Sequence, residues 1–596
     1  MVKKTDYAEL RGRLKSLSKT PIFQKDTLSF SKQEKVSYLY ALMEMVVKES
    51  NVRADDITDD MGKLLTVMES PCLMSNYGLC PLLASHYNLC LGTIMNLAGS
   101  NRHHLQGYID ELEQLETKGI YMVTEIDHGN NAMSMQTEAR FDKEKQEFII
   151  NTPYPGACKF MPYLSSEEQP KLAIVMARLW LEDQDCGVHP FIVRCRDKQG
   201  RLLKGVKASK LSAVDLYSVS DVDHSITAFE QVRIPYYAFL GGELNQVTPD
   251  GKFITRAKSQ REIFFNSLCR VEWGKIVLTA ALMSPIKMAV TIAIEYARRR
   301  KVANRRGSHS LTEFQFHKLE LAKAYVYLIA SVSLYEKRKD ICLHQKMELE
   351  TLAMNAAIIK SMCVEMARDA LNICLARTGA QGKMVRNRVI SACILNDITS
   401  TAEGDSVPVL MKIAKELITG GGLLPFSEEK ADAPIASSAR LFTLLATREK
   451  ALKSQLQQEI SESSDRDLAW NNATPIAQEL AWVHGIRNAA DALAEREAIQ
   501  TTFCSLYILQ HAAWYSANEL ISASEMRELI GYTQRSLPAI FDEQAINVAS
   551  EFELHDLIEL TAIGSADMPE YWLRVAEFGG NSEASEHLAS GIGERC

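Results

Sequence analysis

Apolar residues recur at steps of three and four early in the chain. Val36, Leu39, Tyr40, Met43 and Val47 mark one face of a helix. It opens at Ser31-Lys32-Gln33-Glu34, a capping box in which Ser31 accepts from the Glu34 amide and Glu34 reaches back. Residues 81–99 are nearly all apolar or small and predict a buried helix, stopped at Gly99-Ser100-Asn101. His86 inside that run reads as a core histidine satisfied by backbone. Residues 109–115 predict a shorter, more polar helix.

The pattern then changes. Residues 121–131, YMVTEIDHGNN, are a short apolar run entering a turn crowded with Thr124, Glu125, Asp127, His128 and Gly129. A polar loop where a strand ends is a natural place to hold a ligand. Residues 138–141 and 147–151 flank a polar hairpin connection. Residues 172–179 are apolar, 190–193 extended, and 226–234 alternate before Pro235. Strands without helices between them predict an antiparallel barrel or sandwich rather than βαβ units.

Helical periodicity returns over residues 263–297, 312–338 and 352–376. Leu321, Tyr325, Leu328, Val332 and Tyr335 form an amphipathic stripe that core packing explains. The intervening segment carries Arg298, Arg299, Arg300, Lys301, Arg305 and Arg306. It reads equally as a solvated helix C-terminus or as a guanidinium cluster for phosphate. Glu403 stands at a turn just before another apolar helix. A break at Gly420-Gly421-Gly422 and Pro425 precedes a helical packing region, and the tail from Gly579 reads as loosely ordered. The expected fold is mainly α with a central antiparallel β domain. Its four domains are a helical one (1–120), a β barrel (121–256), a helical bundle (257–424) and a C-terminal helical one (425–596).

Composition narrows the function classes. Of 596 residues, 46% are hydrophobic and 24% charged, ordinary for a globular protein of several domains. The formal charge of −8 gives no bulk attraction to nucleic acid or anionic membrane. No apolar run reads as a membrane span, and the N-terminus lacks the apolar core of a secretory signal. The thirteen cysteines are scattered without CxxC pairs, which points to reduced thiols inside a cell and to no metal site. The C-terminal GERC is not an SKL-type address, so a cytoplasmic protein is expected. Neither GxGxxG after a strand nor GxxxxGK[ST] occurs.

Six motifs, in order, resemble those of the acyl-CoA oxidase branch of the acyl-CoA dehydrogenase superfamily. Thr124-Glu125-x-x-His128-Gly129-x-Asn131 resembles T-E-L-G-H-G-S/T-N, and residues 147–159 resemble EFVINTP…K. Residues 187–193 resemble GVHAFIV, and residues 232–235 and 248–251 match VRIP and the segment ending in PDG. Glu403-Gly404-Asp405 resembles E-G-D-N/T.

The resemblance implies FAD, with Thr124, His128, Gly129, Lys159 and Tyr163 near the flavin ring. It implies Arg298, Arg300, Gly379, Gln381 and Gly382 at the FAD phosphates, often across a homodimer interface. It places Asn131, Gly404 and Asp405 at the substrate, an acyl thioester of CoA or of an acyl-carrier protein. Glu403 becomes the base that removes the α-proton while hydride leaves the β-carbon for flavin N5, giving a 2-enoyl thioester. The electrons would pass to O2 or to an electron-transfer protein. A thioester α-carbon is a weak acid, so a carboxylate withdrawn from water, with its pKa raised, suits the task.

Several positions depart from the family. Tyr163 replaces a glycine near the flavin, Asp127 replaces a glycine of the first motif, and residues 376–383 differ from A-C-G-G-H-G-Y. Residues 210–225 lack the usual glycine-rich pattern. Two other readings therefore stand beside the oxidase. One is a monooxygenase on the same scaffold, against which Glu403 argues. The other is a non-catalytic binding subunit, for which Tyr163 argues.

Overall fold

The computed structural model describes residues 7–27, 29–211, 221–305, 307–344, 347–420 and 433–575. Several features singled out above lie outside these residues: Arg306, Gly421, Gly422, Pro425, most of residues 210–225, and the tail from Gly579. The chain divides into two compact units. The first takes the residues up to Ala281 together with Arg338–Lys360 and Thr399–Ser406. The second takes Leu282–Lys337, Ser361–Ile398 and the residues from Val407 onward.

The first unit opens with helices. The helix Lys32–Ser50 has the expected box: the Ser31 amide donates to Glu34 Oε2 at 2.7 Å and the Glu34 amide to Ser31 Oγ at 3.3 Å. The apolar run after it is helical throughout, but Leu79–Leu83 and Gly92–Leu97 enclose a π-helical segment, Ala84–Leu91. His86 lies in that segment, fully buried, its Nδ1 accepting from the Gly119 amide at 2.9 Å. Burial drops its pKa to about 3, so it is a neutral core residue.

Eleven strands follow among the described residues of this unit: β1 Lys118–Met122, β2 Glu138–Asp142, β3 Glu147–Asn151, β4 Lys159–Tyr163, β5 Lys171–Leu181, β6 Gln184–Arg196, β7 Val206–Lys210, β8 His224–Phe229, β9 Val232–Pro235 and the small pair β10 Asn245–Val247 and β11 Phe253–Thr255. One sheet runs β1-β5-β2-β3-β9 with β6 also on β5, and a second runs β4-β8-β7. The sheet is mixed where an antiparallel one was expected. β5 is eleven residues long and pairs with β6 along one edge. Its other edge is shared by two short strands, β1 and β2, both parallel to it. The alternating run 226–234 is two strands rather than one, because Gln231 takes a left-handed φ of 51° between them.

The long helices Cys269–Arg299, Gln315–His344 and Leu349–Arg377 stand where periodicity places them. The first of these corrects an expectation. By length and composition it is apolar enough to cross a membrane, yet 89% of its apolar window is buried inside the protein, as in a core helix. In the second unit the basic segment is a hairpin, Lys301–Asn304 against Gly307–Ser310. The C-terminal helices Ser438–Ser461 and Thr474–Ala492 hold a buried charge cluster. Glu449 Oε1 lies 2.8 Å from His484 Nδ1, and its Oε2 accepts from Arg487 at 2.5 Å.

Candidate active site

The polar loop after β1 folds onto β4. The Ile126 amide donates to the Cys158 carbonyl at 3.1 Å, the Asp127 amide to Gly156 at 3.0 Å, and the Phe160 amide to Thr124 at 2.9 Å. Glu125 is the centre of this arrangement. Its Oε1 accepts from the Thr137 amide at 2.8 Å, the Thr137 hydroxyl at 2.6 Å and Lys159 Nζ at 3.1 Å. Its Oε2 accepts from the Gln136 amide at 2.8 Å and lies 3.1 Å from His128 Nδ1. Burial raises the Glu125 pKa, but Lys159, Thr137 and Gln136 outweigh it and leave the carboxyl below its ordinary value. Burial pulls Lys159 down to about 8 against the pull of Glu125.

Lys159, placed at the cofactor by resemblance, therefore turns its ammonium inward to Glu125 and to the Val123 carbonyl at 3.3 Å. A carboxylate withdrawn from water needs such a partner. The outer face of the loop stays open. Thr124, Gly129 and Asn131 are exposed, beside uncovered Ile126, Phe160 and Met161. Asn131 Oδ1 accepts from Ser134 Oγ at 3.0 Å.

Glu403 sits in the same unit, in the turn between the helices Val389–Thr401 and Ser406–Thr419. Its φ is 57°, a left-handed conformation costing a non-glycine residue about 1–2 kcal/mol, and Gly404 follows at 102°. As a whole residue it keeps some surface, but its carboxyl is enclosed. A Cβ added at Gly274 would lie 2.6 Å from the carboxyl carbon, so the carboxyl rests against the helix where that side chain is missing. Burial pushes its pKa to about 7, against Lys275 and Lys360, with Glu272 adding to the rise. Lys275 donates to Glu272 at 2.8 Å, and Lys360 Nζ donates to the carbonyls of Ala402 and Gly404.

Three further groups feel the Glu403 charge. Burial and then Glu403 raise Tyr121, at the end of β1, and also raise Cys80 to about 12. Tyr163, on β4, is raised by burial, by Cys80 and by Glu403. Tyr121 and Tyr163 lie on β1 and β4, the strands that flank the polar loop, so the Glu403 charge reaches the strands that hold it. Tyr163 stands where the family resemblance has glycine, and its ring centroid lies 5.2 Å from that of His224. The Tyr121 hydroxyl is buried with no hydrogen-bond partner among the described residues.

The second unit holds the remaining expected residues. Arg298 and Arg299 both pair with Glu295, at 3.0 and 2.5 Å, while the Arg300 side chain is exposed. Gly379 takes φ 57°, and a Cβ there would meet nothing nearer than Tyr296 Oη at 3.9 Å, which brings the glycine loop beside the basic helix end. Gln381 is tied to Asn387, whose Nδ2 donates to its carbonyl at 2.8 Å, and Gly382 packs on Thr378. Among the described residues no group of His, Cys, Asp or Glu forms a metal site.

Sequence reasoning passed over Lys360, Gly274, Tyr121 and the hub role of Glu125. Lys360 left a signal: it is a lone cation in the apolar run 356–364, and a buried ammonium must find oxygen. Gly274 left none, since its role depends on a residue far along the chain.

Comparison with known proteins gives a consistent picture. Residues 271–418 match the acyl-CoA oxidase C-alpha1 domain family. An Arabidopsis thaliana protein named acyl-coenzyme A oxidase 2, peroxisomal, is 30% identical over 388 residues, 63% of this chain and 55% of that protein. The match thus spans little more than half of that relative. The crystal structure of acyl-CoA oxidase 1 from Yarrowia lipolytica superposes with a TM-score of 0.82 at 16% identity, over 99% of this chain and 93% of that one. Caenorhabditis elegans acyl-CoA oxidase 1, solved with FAD and ATP, gives 0.79 at 18% identity, over 98% and 94%. These similarities overturn the expected cytoplasmic location. The Arabidopsis relative and a human one are both named peroxisomal. The C-terminal tripeptide was narrow ground for that expectation, since it reads a single address.

Proposed function

From the premise that this chain is acyl-CoA oxidase-like, a divergent member of that family, we propose that it is an FAD-dependent oxidase of acyl thioesters with Glu403 as its base. The observation that carries this reading is the Glu403 carboxyl: enclosed, raised to about 7, and set in a left-handed turn of the unit that also holds the Thr124 loop. A base with a pKa near neutrality is matched to proton removal at physiological pH. Relatives named acyl-coenzyme A oxidases support a CoA thioester as the substrate class.

The residues present fit FAD. The exposed Thr124 hydroxyl offers a hydrogen bond beside uncovered Ile126, Phe160 and Met161, which suits a flat ring with one polar edge. In the second unit, Arg300 and the open Gly379 turn suit phosphate, with Arg298, Gln381 and Gly382 close by in sequence. FAD, when bound, supplies the acceptor for the β-hydride. The chain's own part is to seat the α-carbon within reach of Glu403 and to hold water away. Glu403 then takes the proton onto its carboxylate. The partnerless Tyr121 hydroxyl supports a polar ligand here, because a buried unpaired donor costs about 1–3 kcal/mol that a bound acceptor recovers.

A second reading, a non-catalytic member, is favoured by the bulky Tyr163 at the position where the family resemblance has glycine. One experiment separates the two. Purified protein carrying flavin that bleaches on anaerobic addition of an acyl-CoA, and regains colour with peroxide on admitting air, supports the oxidase. Flavin that stays coloured with every thioester supports the non-catalytic member.

A further inference from the structure

Lys360 is an unusual residue for its place. It lies midway along the apolar helix Leu349–Arg377, 1% exposed, and its ammonium donates to the two carbonyls on either side of Glu403, those of Ala402 and Gly404. Those carbonyls follow the last turn of the helix Val389–Thr401, where the helix dipole attracts a cation. Between them Glu403 and Gly404 hold consecutive left-handed φ values of 57° and 102°. Such a backbone is strained for a glutamate, and a clamp on the flanking carbonyls is one way to hold it.

Resting on the reading of Glu403 as base, we propose that Lys360 is its positioning residue: the ammonium pins the flanking carbonyls, fixes the left-handed turn that lays the carboxyl against Gly274, and keeps that carboxyl ionisable. The charged and titratable groups around the carboxyl are Lys275 and Glu272 on the helix Cys269–Arg299, Lys360, Tyr121 on β1, Tyr163 on β4 and Cys80, and Asp405 also acts on the Lys360 ammonium. Glu272 already engages Lys275, at 2.8 Å. Among the described residues Lys360 donates to no carboxylate and gives its hydrogen bonds to the turn itself. Its loss therefore removes both the clamp and a positive charge from the base.

The test uses the full chain with Lys360→Met, Lys360→Gln and Lys360→Arg, each with and without Glu403→Gln. Unfolding stability is followed against pH, a readout that needs neither flavin nor turnover. The difference between a protein and its Glu403→Gln partner traces the titration of Glu403, with a midpoint near 7 for the native chain. In Lys360→Met the midpoint moves up, corresponding to at least about a tenfold gain in proton affinity, and the anaerobic bleaching profile moves with it. Lys360→Arg, which keeps the charge and the donors, leaves the midpoint in place. If Lys360→Met does not fold, Lys360→Gln, which keeps donors but loses the charge, shows the same upward shift. An unmoved midpoint in a folded Met or Gln variant overturns the proposal. A native chain that never bleaches overturns the oxidase reading instead, and the stability cycle still reports on Lys360 and Glu403.

Discussion

Lys159 Nζ lies 3.1 Å from Glu125 Oε1, with both side chains fully withdrawn from solvent. This pair fastens the polar loop to β4, and three further donors from Thr137 and Gln136 converge on the same carboxylate. Lys159→Met leaves that carboxylate buried without its cation, a loss of about 3–5 kcal/mol. We expect this variant to unfold at markedly lower denaturant and to lose flavin on gel filtration. A stability unchanged within error would show that the pair does not hold the loop.

Gly274 leaves room for the Glu403 carboxyl. In Gly274→Ala the new methyl would sit 2.6 Å from the carboxyl carbon, and the carboxyl must move. A displacement of about 1 Å costs on the order of a hundredfold in rate. The single-turnover bleaching rate should fall to that extent while the flavin spectrum and the unfolding midpoint stay close to native. Stopped-flow absorbance measures it.

Tyr163 stands where the family resemblance has glycine, and the Glu403 charge reaches its phenol. Removing it frees space at that position. Tyr163→Gly should therefore shift a panel of acyl-CoAs toward longer or branched chains. Loss of a large packed side chain also lowers stability by about 3–5 kcal/mol. An unaltered order of preference would place the phenol away from the acyl path.

The buried cluster of Glu449, His484 and Arg487 belongs to the second unit. Burial raises Glu449, but His484 and Arg487 outweigh it, so its pKa lies below the ordinary value. Its contribution is therefore present at neutral pH and is lost as pH falls through that lowered value. Glu449→Gln should cost about 3–5 kcal/mol at pH 7 and progressively less in acid, as urea unfolding will show.

The capping box at Ser31, the long helices, the loop at Thr124 and the turn at Glu403 were legible because each is written in local spacing. The mixed sheet was not, because β1 and β2 share one edge of β5 only after the chain has travelled some fifty and thirty residues. Lys159 carried a family motif but not its direction, which is decided by Glu125 across a bond distant in sequence. Lys360 and Gly274 meet Glu403 from far along the chain, and no period marks such a meeting. The apolar helix Cys269–Arg299 shows the opposite failure: its composition alone does not tell a core from a membrane.

The state of the Glu403 proton is the most direct point of test. Folding encloses its carboxyl and raises the pKa from 4.5 to about 7, so stability falls as pH rises across that interval. Glu403→Gln removes this slope and stabilises the protein above pH 7 by on the order of 3 kcal/mol. Catalysis needs the opposite form, the carboxylate. Anaerobic bleaching of the bound flavin by an acyl-CoA, timed from pH 5 to 9, should accelerate through a midpoint near 7 in the native chain and be absent in Glu403→Gln with flavin still bound. Bleaching by Glu403→Gln at the native rate, or a native rate flat across that range, contradicts the assignment of Glu403 as the base.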